Sequence, residues 1–197
     1  MTVIDYYFSL NSPWSYMGSA RLAKMAAENG ASVNVVPVNL GTVFAETGGL
    51  PLPKRSPERQ VYRMMELKRW RAFNDIPLVL EPAHFPHDES EGVRLILAAV
   101  KTGGDALGLA TEIGRMLWEE DRDPADAEVQ SEAASRVGLD ADALRAALSL
   151  EEAMDIWTKS SEEAISKNVF AAPTYVIDGE IFWGQDRLDF VERKLKG

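Results

Sequence analysis

An apolar strand runs directly into a helix at residues 3–16, VIDYYFSLNSPWSY. Alternate positions of the first half are apolar or aromatic: Ile4, Tyr6, Phe8 and Leu10. This period of two, rich in aromatic residues, predicts a β-strand. Pro13 suits the first position of a helix, because its ring presets φ and its missing N–H would have no intrahelical partner. The pattern therefore predicts that Ser12 is the N-cap of the first helix.

The hydroxyl of Ser12 has two interpretations at such a position. Its oxygen can cap the helix, which stabilises a helix by about 1 kcal/mol. Alternatively, the hydroxyl and the neighbouring unpaired N–H groups hold an anion, such as a thiolate or a carboxylate, at the positive end of the helix dipole. The residues of this turn alone leave both interpretations open.

Composition and charge exclude several classes of protein. The chain has 197 residues, of which 46% are hydrophobic and 26% are charged, as expected for one globular unit or a core with a large insertion. Its formal net charge of −10 argues against binding to nucleic acid or to anionic membranes. The absence of cysteine excludes disulfides, thiolate metal sites and protein-thiol redox chemistry, and no metal site is predicted. No signal peptide or membrane-spanning apolar run is visible, so we expect a cytoplasmic protein.

Periodicity along the chain predicts the order β-α-β, then a long helical segment, then β-β-α. Residues 32–38 are rich in β-branched side chains and predict the second strand. Helical periodicity then recurs in six segments that begin near residues 56, 90, 107, 127, 141 and 151. Two short apolar runs flank Asp178-Gly179, a dipeptide typical of a two-residue hairpin turn. A final helix is predicted to begin near Asp186.

Three segments of the chain together resemble a known family. They are Tyr7-Phe8 with Ser12-Pro13-Trp14-Ser15-Tyr16, then residues 171–175 (AAPTY), then residues 182–188 (FWGQDRL). In that order they resemble the DsbA-like and kappa-class glutathione transferase family, and within it the 2-hydroxychromene-2-carboxylate isomerases. Ser12-Pro13-Trp14-Ser15 stands in the place of the family's redox Cys-Pro-x-Cys motif, with serine replacing both cysteines. The resemblance implies an α/β, thioredoxin-like fold with a large all-helical insertion, in which residues 1–42 and 167–197 form the thioredoxin-like domain and residues 43–166 form the insertion.

The resemblance also implies a glutathione site built from those three segments. Ser12 would donate a hydrogen bond to the glutathione sulfur and, with the helix N-terminus behind it, would stabilise the thiolate. Pro173 would be cis, against the usual trans geometry, and would leave the backbone of Ala172 to pair with the cysteinyl unit. The γ-glutamyl end would bind at the start of the last helix, formed by Trp183, Gly184, Gln185 and Asp186. Helix-start N–H groups suit its carboxylate and Asp186 suits its ammonium group, although a plain N-cap role for Asp186 stays open.

The implied activity is the reversible isomerisation of 2-hydroxychromene-2-carboxylate to trans-o-hydroxybenzylidenepyruvate, a step in aromatic degradation, by a protein that forms a homodimer. Addition of the glutathione thiolate to an enone lets a carbon–carbon bond rotate while it is single. The aromatic carboxylate substrate needs a cationic partner, for which Lys54 and Arg55 are candidates, with exposed surface cations as the alternative. His84 is a candidate for lining the aromatic pocket or for proton transfer, and its alternative is a packing role.

Two departures from the family pattern leave the substrate open. Gly49 stands where kappa-class relatives carry asparagine, and Gln185 stands where relatives carry serine or asparagine. A glutathione transferase or peroxidase of kappa type is therefore a second hypothesis, and it would consume the glutathione that an isomerase returns. A thioredoxin-fold binding protein without catalytic activity is a third hypothesis.

Overall fold

The computed structural model describes residues 1–197 and contains one mixed sheet of four strands: β1 (Val3–Phe8), β2 (Ser32–Pro37), β3 (Thr174–Ile177) and β4 (Glu180–Trp183). Their order in the sheet is β2-β1-β3-β4. β1 pairs in parallel with β2 and antiparallel with β3, and β3 pairs antiparallel with β4. All four predicted strands are confirmed. Pro37 lies at the end of the edge strand β2, where its missing N–H interrupts no ladder.

The first crossover places Ser12 at the carboxyl end of β1. Helix α1 (Pro13–Glu28) begins with Pro13, and the Ser12 Oγ accepts a hydrogen bond from the Ser15 N–H at 3.2 Å. Ser12 is therefore the N-cap, as predicted. Gly30 follows the helix with φ 62° and turns the chain towards β2. In open α/β sheets ligands bind at the carboxyl ends of strands, so this turn is well placed for a site.

One helix, α2 (Leu40–Thr47), lies where the sequence predicts none. Asn39 caps it, and its side-chain oxygen accepts hydrogen bonds from the N–H groups of Gly41 (2.9 Å) and Thr42 (3.2 Å). Gly48 ends it with φ 79°, a left-handed conformation that glycine adopts without steric cost. The expected domain boundary between residues 42 and 43 therefore falls inside a helix.

Six helices follow before the sheet resumes, and they match the six predicted segments: α3 (Pro57–Phe73), α4 (Ser90–Thr102), α5 (Ala106–Trp118), α6 (Ala127–Arg136), α7 (Ala141–Ala147) and α8 (Leu150–Ser166). Among the 17 residues of α3 only Leu67 is fully buried. The last helix starts later than predicted, because a 3₁₀ turn covers Gln185–Arg187 and α9 (Leu188–Lys196) follows it. No side chain caps this entry, so the first turn tightens into the 3₁₀ form.

The helical insertion and the sheet share one hydrophobic core. A single cluster of 30 buried residues includes Tyr6 of β1, Leu95 of α4, Ile113 of α5 and Tyr175 of β3. Tyr6 and Tyr175 pair directly across the two antiparallel strands, and their rings stack with centroids 5.5 Å apart. The insertion therefore packs against the sheet as part of one body. No helix in the chain is both long enough and apolar enough to cross a bilayer.

Candidate active site

A cleft of about 610 Å³ lies between the sheet and the helical insertion. One wall consists of the turn before α1, the loop before β3 and the segment after β4. The opposite wall consists of α2, the segment that joins α2 to α3, α3 itself, and the loop that joins α3 to α4. Both cis peptide bonds of the chain, Phe85–Pro86 and Ala172–Pro173, lie on this cleft. The cis conformation predicted for Pro173 is confirmed.

The Ser12 hydroxyl faces the cleft with its proton only weakly engaged. Ser12 is 5% exposed, and its Oγ accepts the capping hydrogen bond from the Ser15 N–H. The hydroxyl donates towards the Ala172 carbonyl oxygen at 3.5 Å, which is longer than an ordinary O–H···O bond. A hydrogen bond from β1 fixes the first turn of α1, because the buried Tyr6 hydroxyl donates to the Ser15 carbonyl oxygen at 3.1 Å. If a stronger acceptor enters the cleft, the Ser12 hydroxyl can donate its hydrogen bond to that acceptor in place of the Ala172 carbonyl.

The loop before β3 presents unpaired backbone to the cleft. The N–H and the carbonyl of Ala172 make no backbone–backbone hydrogen bond. The flanking positions are fixed, because the Thr174 Oγ1 donates to the Ala171 carbonyl at 2.7 Å and the Gly184 N–H donates to the Pro173 carbonyl at 2.9 Å. Ala172 can therefore pair with an extended peptide laid along this wall.

The segment after β4 adds uncapped N–H groups to the same wall. The N–H groups of Gln185 and Asp186 begin the 3₁₀ turn and have no partner in the protein. Gly184 enters the turn with φ 105°, and a Cβ there would collide with the Asp186 carboxylate, which folds back over it. Asp186 also pairs with Arg187 at 3.3 Å. The turn thus offers both donors for a carboxylate and a carboxylate for a cation.

The opposite wall is positively charged. Arg55 precedes α3, whereas Arg59 and Arg63, four residues apart, lie on one face of this helix, and all three line the wall. The Arg55 Nε donates to the Leu50 carbonyl at 2.8 Å, which ties this arginine to the preceding loop. Burial, followed by the charge of Arg59, lowers the pKa of Arg55, although a guanidinium stays charged. This wall can therefore bind an anion.

Most of the predicted site residues meet in this cleft, and two of them do not. Those that line it are Ser12, Arg55, Ala172, Pro173, Trp183, Gly184, Gln185 and Asp186. Lys54 ends a short exposed 3₁₀ helix and lies outside the cleft. His84 also lies outside, with its Nδ1 3.7 Å from a carboxylate oxygen of Asp123, and it is the next residue, Phe85, that lines the wall.

The site predicted from the sequence lacks three arginines that line the cleft, namely Arg59, Arg63 and Arg187. Arg59 and Arg63 are four residues apart, a spacing that is visible in the sequence and that places both on one helix face. Only the packing of α3 shows that this face borders the cleft. The sequence therefore shows that these two residues share a helix face, but it does not show what that face packs against.

Gly49 lets the aromatic ring of Phe44 pack directly against the backbone of the loop after α2. A Cβ at Gly49 would lie 2.7 Å from the Cγ of Phe44, closer than two carbon atoms approach. Phe44 lines the cleft from α2. The ring of Phe44 therefore occupies the space that a side chain at position 49 would need.

A buried network behind Ser12 holds the turn in place. The Glu89 carboxylate accepts hydrogen bonds from the Ser9 hydroxyl (2.8 Å) and from the Asn11 N–H (3.1 Å). The Asn11 side chain bridges the backbone of His87, donating to its carbonyl at 2.9 Å and accepting from its N–H at 3.1 Å. Burial raises the pKa of the Glu89 carboxyl, against the lowering effect of these hydrogen bonds. The network ties the turn before α1 to the loop before α4.

Comparisons with known proteins agree with this geometry. The family model of the DSBA-like thioredoxin domain matches residues 3–196. A 2-hydroxychromene-2-carboxylate isomerase of Sphingobium xenophagum is 31% identical over 193 residues, covering 98% of this chain and 97% of the relative. A solved structure of such an isomerase superposes with a TM-score of 0.80 at 26% identity, covering 98% of this chain and 94% of the other. Glutathione S-transferase kappa 1 of Caenorhabditis elegans is 38% identical over 80 residues, which are 40% of this chain and 35% of the relative. This chain belongs to the DSBA-like thioredoxin family, in the group that contains the 2-hydroxychromene-2-carboxylate isomerases.

Proposed function

We propose that the protein is a glutathione-dependent isomerase that interconverts 2-hydroxychromene-2-carboxylate and trans-o-hydroxybenzylidenepyruvate. The relatives named as isomerases extend over nearly the whole chain and support this reaction class. The observation that carries the proposal is the Ser12 hydroxyl. It lies at the N-terminus of a 16-residue helix, and its only acceptor in the protein is the Ala172 carbonyl oxygen at 3.5 Å, which is a long and weak hydrogen bond.

The first wall of the cleft offers a group for each part of glutathione. Ser12 suits the sulfur, and the backbone of Ala172, which makes no backbone–backbone hydrogen bond, suits the cysteinyl unit. The uncapped N–H groups of Gln185 and Asp186 suit the γ-glutamyl carboxylate, and the Asp186 carboxylate suits the neighbouring ammonium group. The set of donors and acceptors therefore fits a tripeptide that lies along this wall.

When bound, glutathione supplies a thiolate that adds to the conjugated double bond of the ring-opened substrate and leaves again once the bond has rotated, so that no glutathione is consumed. Ser12 stabilises the charged form of the sulfur by donating its hydrogen bond. The N-terminus of α1 adds the positive end of its dipole. Because Ser12 is almost fully buried, few water molecules compete for that hydrogen bond.

An absorbance assay on 2-hydroxychromene-2-carboxylate, with and without added glutathione, tests the proposal. We expect turnover only with glutathione, full recovery of the thiol, and a loss of rate of roughly 10- to 100-fold in Ser12→Ala. Equal rates with and without glutathione would overturn the glutathione dependence. Stoichiometric loss of the thiol would assign the protein to the kappa-type transferases, to which part of the chain is similar. Absence of any turnover would favour a binding protein.

We also propose that the protein acts in the cytoplasm, and that it forms a homodimer, which the family resemblance implies. Cell fractionation tests the location. Sedimentation of the purified chain tests the oligomeric state, and a monomer at working concentration would contradict it.

A further inference from the structure

The wall that contains α3 carries more positive charge than the proposed glutathione site needs. Arg55, Arg59 and Arg63 line the cleft, and none of them takes part in an ion pair. Glu66, the acidic residue on the same wall, pairs with Arg69, which lies outside the cleft. The chain as a whole has a net charge of −10, so acidic partners are not scarce. Positive charge collected in a cleft attracts anionic ligands.

Arg63 is the member of this set that is best prepared for a ligand. Its guanidinium lies over the ring of Phe85, 5.8 Å from the centroid, and it donates no hydrogen bond to the protein. Burial, with the charge of Arg55 as a second cause, lowers the pKa of Arg63 from its usual value. A half-buried cation without a partner raises the free energy of the ligand-free protein. A carboxylate would offset this by accepting two parallel hydrogen bonds from the planar guanidinium.

The two carboxylates of glutathione leave part of this charge unused. The γ-glutamyl carboxylate is assigned to the uncapped turn after β4, so only the glycyl carboxylate needs a cation. Arg55 is suited to that role, because its hydrogen bond to the Leu50 carbonyl fixes its guanidinium beside the loop. Arg59 and Arg63 then remain for a second anion.

The surfaces near Arg63 are aromatic. Trp70 follows it by two helical turns on the same face of α3, and Trp14 and Phe85 also line the cleft. Planar rings beside a guanidinium suit a flat aromatic molecule that carries a carboxylate. We infer that Arg63, supported by Arg59, is the residue that binds the carboxylate of an aromatic acid in a subsite of this cleft. The inference rests on the proposed function for the role of that acid as reactant, whereas binding at the subsite needs no glutathione.

Binding of 2-hydroxycinnamate to the intact chain, measured by quenching of tryptophan fluorescence without glutathione, tests this subsite. The methyl ester of the probe is the uncharged comparison. We expect Arg63→Gln to weaken binding of the acid by roughly 10- to 100-fold and to leave binding of the ester unchanged. Arg63→Lys recovers part of the loss, since it keeps the charge but not the bidentate fork. Arg71→Gln is the matched control, because Arg71 lies on α3 and donates to the Leu78 carbonyl at 3.3 Å, outside the cleft.

Two results would overturn the inference. In the first, Arg63→Gln binds the acid as tightly as the parent protein does. In the second, Arg63→Gln weakens binding of the acid and of the ester equally, which indicates a distorted cleft and not a lost charge contact. Failure of the proposed function is distinguishable from both. If no glutathione-dependent turnover occurs but Arg63→Gln selectively weakens binding of the acid, the proposed reaction is rejected and the subsite is kept. If glutathione-dependent turnover occurs but Arg63→Gln does not selectively weaken binding of the acid, only the subsite is rejected.

Discussion

Replacing Ser12 with alanine should raise the pKa of the bound glutathione thiol by a predictable amount. A hydrogen bond to a charged acceptor contributes about 1.5–3 kcal/mol. In the ligand-free protein the Ser12 proton has only the Ala172 carbonyl at 3.5 Å, so little is given up when a thiolate replaces that contact. Because one pKa unit corresponds to about 1.36 kcal/mol, we expect the thiol pKa to rise by about one to two units in Ser12→Ala.

Ultraviolet absorbance of the thiolate, titrated against pH in the glutathione complex, measures this pKa directly. The substitution also removes a helix cap, so urea unfolding should show a loss of about 1 kcal/mol in the free energy of unfolding. Ser15→Ala is the matched control, because it makes the same chemical change at a buried hydroxyl that has no hydrogen-bond partner. An unchanged thiol pKa in Ser12→Ala, or an equal rise in Ser15→Ala, would refute the role given to the Ser12 hydroxyl.

Three further predictions concern stability. Burial lowers the pKa of His87 from its usual 6.5 to about 4, against the raising effect of nearby carboxylates. As pH falls from 6.5 to about 4, His87 gains a proton in the unfolded chain but not in the folded chain. The free energy of unfolding should therefore fall by up to about 3 kcal/mol on acidification. Urea unfolding against pH should show a flatter profile in His87→Gln but not in the exposed control His84→Gln. Gly49→Asn should lower the free energy of unfolding by about 1–3 kcal/mol through its clash with Phe44, and Phe44→Ala in the same chain should restore most of it; no recovery would count against the clash. Asn11→Ala removes two hydrogen bonds to the His87 backbone and should lower the melting temperature, with a loss of about 1–3 kcal/mol on unfolding in urea; an unchanged melting point would contradict the bridge.

The sequence predicts well those features that depend on residues a few positions apart. Asp178 and Gly179 have φ values of 50° and 81°, the two left-handed positions that a tight hairpin turn requires. Ser12 and Pro13 occupy the N-cap and the first helical position, as their side-chain chemistry indicates. Each of these structures is stabilised by bonds inside one short segment, so the segment's own residues suffice to predict it.

The second wall of the cleft depends on contacts between distant parts of the chain. The hydrogen bond between Ser9 and Glu89 joins residues 80 positions apart, and no local pattern indicates it. The sequence suggests Lys54 for the substrate carboxylate and His84 for the aromatic pocket, because they are charged or titratable residues in loops. In the structure the cleft is lined by Arg63 and its neighbours on α3, and not by Lys54 or His84. The sequence does not indicate this, because tertiary packing decides which face of a helix borders a cleft.

Helix α3 carries the arginine wall although it has one fully buried side chain in 17 residues. Detaching it from the rest of the protein exposes far less apolar surface than unfolding the sheet does, so its amides should exchange with solvent at a lower opening free energy than those of β1. A ligand that touches both Ser12 and α3 adds its own binding free energy to the attachment of this helix. Slower deuterium uptake along α3 therefore reports occupancy of the cleft, while uptake in the strands stays the same.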